Sequence, residues 1–165
     1  MEARDLVDQI REQLGELYPD LDTSVFGITG RILRLAHAIE SRRAAHLAPI
    51  DLTPGDFDLL ATLRRTDRGS GVNPGGLLDS LLITSGGLTK RLDKLEARAL
   101  LERQPDPSDR RATLVRLTPH GRDVIDSVLP ELIEIEDEAA GSRLSPRQLE
   151  QASSLLRRLS VVHSA

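Results

Sequence analysis

The chain has no cysteine and no tryptophan, and only one tyrosine, two phenylalanines and one methionine. Without thiols it can build neither a disulfide framework nor a thiolate metal site, a composition compatible with a reducing compartment. With so few rings, the interior must be filled by Leu, Ile, Val and Ala, which suits packed helices. Long apolar runs are missing too, and nothing approaches the roughly 20 residues of a membrane-spanning helix. The first residues, MEARDLVDQIREQ, are charged and lack the apolar stretch of a signal peptide. A cytoplasmic protein with no membrane partner is expected. Positive charge is also short, with a net charge of -4, which by itself argues against a nucleic-acid partner. Any such case must rest on where the charges sit. The four histidines, His37, His46, His120 and His163, are scattered without metal-ligand spacing. No G-x-x-x-x-G-K or G-x-G-x-x-G loop occurs, nor a nucleophile-and-base signature. An enzyme, a metal and a cofactor are therefore not expected.

What is present is helical punctuation. Thr53-Pro54, Asn73-Pro74, Thr118-Pro119 and Ser145-Pro146 each pair a capping side chain with a proline. The cap oxygen satisfies a free backbone N–H, and proline at the first helical position loses no hydrogen bond. These pairs predict four helix starts. Apolar spacing adds a helix from about Ala3 to Leu17 and a long one from about Thr23 to Leu47. Another runs from about Gly86 to Ala97, capped by Thr84 or Ser85, with Leu88, Leu92 and Leu95 inward. Pro119 opens a long acidic helix to about Ala140, with a possible kink at Pro130. Around the turn DPSDRR, LLERQ and ATLVRL read as two strands of a hairpin.

The expected fold is mainly α with a small β-hairpin wing, a winged helix-turn-helix with a helical dimerisation region. Residues 53–118 form the DNA-binding part, and 1–48 with 119–165 the dimerisation part of a single 1–165 domain. In that geometry the helix before the wing enters the major groove by its first turn. Thr84, Ser85, Gly86, Gly87 and Thr89 suit close backbone approach, and Lys90, Arg91 and Lys94 follow. From Thr84 to Arg116 the bases outnumber the acids, whereas acids crowd Asp123 to Glu138. A basic head on an acidic body is the electrostatic footprint of a duplex-DNA binder. A salt-bridged, solvated helix face is the plainer reading of the same charges.

The run Ser85 to Glu96, followed by Asp106-Pro107-Ser108-Asp109-Arg110-Arg111 and Val115-Arg116-Leu117-Thr118, resembles the MarR family of bacterial transcription regulators. The resemblance covers about Asp22 to Leu159. It implies a homodimer reading a pseudo-palindromic operator, a wing tip in the minor groove through Arg111 or Arg110, and a small-molecule effector that releases DNA. A finer resemblance is to the urate-responsive, PecS-like branch, through Pro19-Asp20-Leu21-Asp22 and the stretch Pro54 to Arg65. That branch uses a Trp, an Asp and two Arg. By the motifs, the Asp corresponds to Asp58, one Arg to Arg91, the other to Arg103, and the Trp position falls on Leu14. Leucine can neither stack on a flat purine nor donate through an indole N–H. The implied effector is a smaller or more apolar organic anion, phenolic or carboxylic, in place of urate.

Plainer alternatives stand beside these roles. Asp58 and Arg91 could be a structural ion pair, and Arg103 a DNA or solvent residue. The whole could be a DNA-binding regulator without a ligand, an architectural DNA-binding protein, or a protein-interaction module. An architectural protein would be basic throughout, and an interaction module would leave the wing and its basic cluster unexplained.

Overall fold

The computed structural model describes residues 4–81, 87–109, 111–138 and 143–160. In chain order these form α1 (Leu6–Leu17), α2 (Ser24–Leu47), a 3-10 turn (Ala48–Ile50), α3 (Pro54–Thr66), α4 (Pro74–Ser80) and α5 (Leu88–Ala97). The hairpin β1 (Leu101–Pro105) and β2 (Thr113–Leu117) follows, then α6 (Pro119–Glu136) and α7 (Pro146–Ser160). Among the described residues no helix is long and apolar enough to cross a membrane.

The cap-and-proline pairs mark their helices. Thr53 and Asp56 form a reciprocal capping box. Asn73 accepts from Gly75 N–H, Thr118 Oγ1 from Gly121 N–H, and Ser145 pairs with Gln148 in both directions. α1 starts later than its apolar pattern suggested, at Leu6, because the Asp5 carboxylate accepts from Asp8 N–H and caps it there. α5 also starts later, at Leu88. Its cap is Gly87, with φ +81 and no side-chain hydrogen bond. Only glycine adopts that left-handed backbone without cost, so the expectation of a Thr84 or Ser85 cap is corrected; both residues lie outside the described set. α6 runs through Pro130 to Glu136, so the proline does not end the helix.

Two compact units divide the chain, Arg43–Glu136 and the remainder on either side of it. The boundary puts α6 with the hairpin and α3 to α5. In this unit β1 and β2 are antiparallel, with Leu101 opposite Leu117 and Pro105 opposite Thr113. Val72 adds a third strand contact through reciprocal 2.8 Å bonds with Val115. α3 packs on α6 and β2, and α5 packs on β1. Leu59, Leu60, Leu63, Leu77, Leu95 and Ile125 are fully buried between them. An aliphatic core therefore fixes the angle between α5 and the wing.

The other unit contains α1, most of α2, and α7. Val7 is buried against α2 at Phe26 and Gly30. Arg31 of α2 grips Asp5 at 2.9 Å and Asp8 at 2.7 Å. Most other apolar side chains here are open, including Leu17 at 72%, Leu33 at 70% and Leu155 at 58% exposure. That is far more apolar surface than scattered exposed leucines explain.

Candidate functional site

The first described turn of α5 presents Thr89 and Lys90 to solvent, while Leu92 and Leu95 anchor the opposite face. Gly87 precedes them at the surface. Arg91 is half-buried, its guanidinium lying so close over Gly55 that a Cβ there would overlap it. Lys94 turns away from this surface. Its Nζ donates to Asp56 Oδ2 at 3.0 Å and to the Asp51 carbonyl at 3.2 Å. Arg98 reaches the same loop, donating to the Ile50 carbonyl at 2.8 Å. Lys94 and Arg98 thus tie the far half of α5 to the loop before α3. Thr84, Ser85 and Gly86 lie outside the described residues, as does Arg110.

Asp56 carries this tie. Its side chain is 2% exposed. Burial works against its charge, but the Thr53 N–H and the Lys94 ammonium outweigh burial and hold its carboxyl below the usual range. A folded-state pKa below the unfolded value near about 3.9 adds stability above that pH. The contribution is lost as pH falls through the depressed value. Asp56→Asn is therefore expected to lower the Tm at neutral pH, and the gap to wild type to narrow below about pH 4. Thermal unfolding across pH 2.5–7, a range chosen to bracket about 3.9, checks this; a constant gap would contradict it.

The wing tip is a built turn. Asp106 N–H donates to the Ala112 carbonyl and Ala112 N–H to the Asp109 carbonyl. Ser108 bonds hold the Asp106 carboxyl below its usual range. Asp109 Oδ1 accepts from Arg111 N–H at 2.9 Å. The backbone at Arg111 is fixed while its side chain stays exposed. At the wing's other end, Arg103 donates to Asp93 Oδ1 at 2.7 Å and to Glu96. Burial opposes the Arg103 charge, yet the two carboxylates prevail and raise its pKa above the ordinary value. Arg103 is a brace between β1 and α5.

A cavity of about 550 Å³ opens beside the end of α2, α3 and α6. Its apolar walls are Phe57, Ala61, Leu129 and Ile133, and Asp58 lines it with Arg43 and Glu136. Asp58 Oδ1 accepts from Arg43 Nη2, in a pair whose side chains are 8% (Asp58) and 11% (Arg43) exposed. Arg43 also covers the Phe57 ring at 5.4 Å and stands 3.7 Å from Glu136. The expected set of Leu14, Asp58, Arg91 and Arg103 is thus distributed differently. Asp58 pairs with Arg43 and not with Arg91, because Arg43 already fills the inward side of α3 while Arg91 lies at Gly55. Arg103 is taken by α5, and Leu14 belongs to α1 in the other unit.

A sequence profile of the MarR family matches residues 50–112, the segment from the 3-10 turn to the wing tip. Over 136 residues the chain is 33% identical to the HTH-type transcriptional regulator PecS of Dickeya dadantii, covering 82% of this chain and 80% of that one. The chain belongs to the MarR family. Among solved structures, that of Bordetella bronchiseptica BpsR is 27% identical with a TM-score of 0.70, covering 81% of this chain and 94% of BpsR. It was solved for the mechanism by which 6-hydroxynicotinic acid regulates BpsR's DNA binding. A mutant Escherichia coli MarR complexed with operator DNA shares the fold, with 24% identity, a TM-score of 0.69, and coverage of 94% and 99%. The relatives are transcription regulators, and this MarR-family chain is a winged-helix, DNA-binding transcription regulator, not an enzyme. Its motifs do not flag Arg43. The available signal was a charge on an apolar face, since Ile39, Arg43 and Leu47 are spaced four apart on α2.

Proposed function

We propose that the chain is a homodimeric cytoplasmic repressor that reads a pseudo-palindromic operator with two α5 helices and two wing tips. A small organic anion in the cavity lined by α2, α3 and α6 releases it from the DNA. The observation that carries the DNA reading is Arg111, exposed on a turn whose backbone is hydrogen-bonded in place. Arginine held this way suits insertion into a narrow minor groove. Thr89 and Lys90 at the exposed start of α5 supply the groove-facing side.

Two chains per operator follow from the apolar faces. Leu17, Val25, Ile28 and Leu33, with Leu155 and Leu159 of α7, stand 48–72% exposed. A second copy of the same surface would bury them in a symmetric interface. The effector reading draws on the placement of Asp58. It lies on α3, whose first turn holds Lys94 through Asp56 and meets Arg91 at Gly55. A ligand that shifts α3 therefore moves the base of α5. Only a ligand that prefers the DNA-incompetent arrangement can release DNA.

Binding to a footprinted operator and to a scrambled duplex, followed by fluorescence anisotropy across salt concentrations, tests the DNA reading. Sedimentation of the complex is expected to give two chains per duplex. Arg111→Ala is expected to weaken binding about tenfold and to reduce the salt slope by about one. Unchanged affinity and slope would remove the wing from the interface.

A further inference from the structure

Three cations leave α5 on the flank that faces the start of α3. Arg91, Lys94 and Arg98 are spaced three and four apart, which sets them in one row along the helix. Lys94 donates to Asp56 Oδ2 and the Asp51 carbonyl, and Arg98 to the Ile50 and Asp51 carbonyls. Arg91, nearest the N-terminal end of α5, is half-buried and makes no hydrogen bond or ion pair among the described residues. Its guanidinium rests over Gly55 in the first turn of α3, where a Cβ would stand 1.3 Å from Nη1 and 2.3 Å from Cζ. A guanidinium carries several N–H donors, and burial normally comes with acceptors for them. Asp56, the acid next in the chain, is already committed to Lys94 and the Thr53 N–H. The start of α3 is also the positive end of that helix's dipole, a poor neighbour for a cation. What keeps Arg91 there is room, and the room exists because residue 55 has no side chain.

We propose that Gly55 is a positioning residue for DNA binding. It gives Arg91 a resting place over α3 in the free chain, from which the guanidinium swings to a backbone phosphate when duplex DNA docks. This rests on the reading of α5 as the groove-facing helix, and it adds which flank cation reaches the duplex and what holds that cation back. A phosphate offers the charged, bidentate acceptor that the resting place lacks. Lys94 and Arg98 have no such reason to leave, since each would surrender acceptors, and Lys94 would strand the buried Asp56 carboxylate. The resting place therefore competes with DNA. Apparent affinity is reduced in proportion to the fraction of free chains whose Arg91 is available. A methyl group at residue 55 would remove the competition without touching the duplex. It would overlap only the far end of a flexible side chain, so neither helix has to move.

Fluorescence anisotropy of the full-length protein on its footprinted operator, repeated across salt concentrations, tests this. The variants are Gly55→Ala, Arg91→Ala, Lys90→Ala and the double variant Gly55→Ala/Arg91→Ala. Arg91→Ala is expected to bind about fivefold more weakly and to reduce the salt slope by about one, as the loss of one phosphate contact does. Gly55→Ala is expected to bind about threefold more tightly with the slope unchanged, because the complex keeps its contacts and only the free chain loses a resting place. In the double variant the gain is expected to vanish, leaving an affinity within about twofold of Arg91→Ala. A gain that persists without Arg91 would place the effect in α3 itself and overturn the proposal. So would weaker binding by Gly55→Ala, which would make the resting place the DNA-bound position, and so would loss of its fold, which would mean that Arg91 cannot leave. A slope lowered by Lys90→Ala but not by Arg91→Ala would overturn the proposal and leave α5 in the groove. Slopes unchanged in both would overturn the groove reading as well.

Discussion

Arg43→Met is expected to destabilise the Arg43–Glu136 unit by about 3–5 kcal/mol, the cost of stranding one member of a buried ion pair. Asp58 would keep its buried carboxylate and lose the donor on Oδ1, while Oδ2 has none among the described residues to begin with. Methionine fills much the same volume as the arginine stem, so lost packing adds little, and loss of the desolvated cation–π contact with Phe57 adds about 2 kcal/mol. Arg43→Met/Asp58→Leu is expected to recover most of the loss, because an apolar pair of similar size carries no desolvation penalty. Urea unfolding of the two variants separates these outcomes. Equal instability would mean that packing, not the stranded charge, sets the cost. If recovery is seen, the ion pair is not there for stability.

Local signals made much of the fold legible before any coordinates. Each cap-and-proline pair is written within one helical turn, and Thr53, Asn73, Thr118 and Ser145 all accept the expected backbone N–H. The hairpin followed from alternation, which places Val115 and Leu117 in the core on either side of half-exposed Arg116. Ion-pair partners were harder to read, since nothing within a turn of Asp58 names a residue on another helix. Arg43 lies fifteen residues away on α2, and only its place on an apolar stripe hints at burial. The same limit applies to Lys94. Its charge and its position on α5 suggested DNA, whereas Asp56, thirty-eight residues earlier in the chain, holds it as an anchor. Recognition helices carry both kinds of cation, and sequence alone cannot sort a side chain aimed at phosphate from one aimed at a buried carboxylate.

Gly121→Ala is expected to cost about 3 kcal/mol, the upper end of the range for overpacking a tight site. A Cβ at residue 121 would lie 1.8 Å from the Leu100 carbonyl oxygen and 2.8 Å from its carbon. Both are backbone atoms, so no rotamer change relieves the overlap. The start of α6 must instead retreat from the chain entering β1. Thr118 stitches these segments, with its N–H donating to the Leu100 carbonyl at 3.2 Å and its hydroxyl to the Ala99 carbonyl at 2.6 Å. Retreat strains both bonds and loosens Leu100 and Leu101, each 1% exposed in the core beneath the wing. The gain of about 1 kcal/mol in helix propensity on replacing glycine by alanine offsets only part of this. Gly15→Ala on α1 is the matched control, since its Cβ would meet nothing within 4 Å. It is expected to be neutral or to stabilise by about 0.5–1 kcal/mol. Because β1 leads directly to the wing tip, Gly121→Ala should also weaken operator binding at temperatures where the variant is still folded, with a salt slope that moves toward that of Arg111→Ala. Chemical unfolding and anisotropy on the two glycine variants decide the matter. A Gly121→Ala protein as stable as wild type would mean that α6 and the wing base are not in backbone contact, and that the wing is positioned by the α5 braces at Arg103 alone.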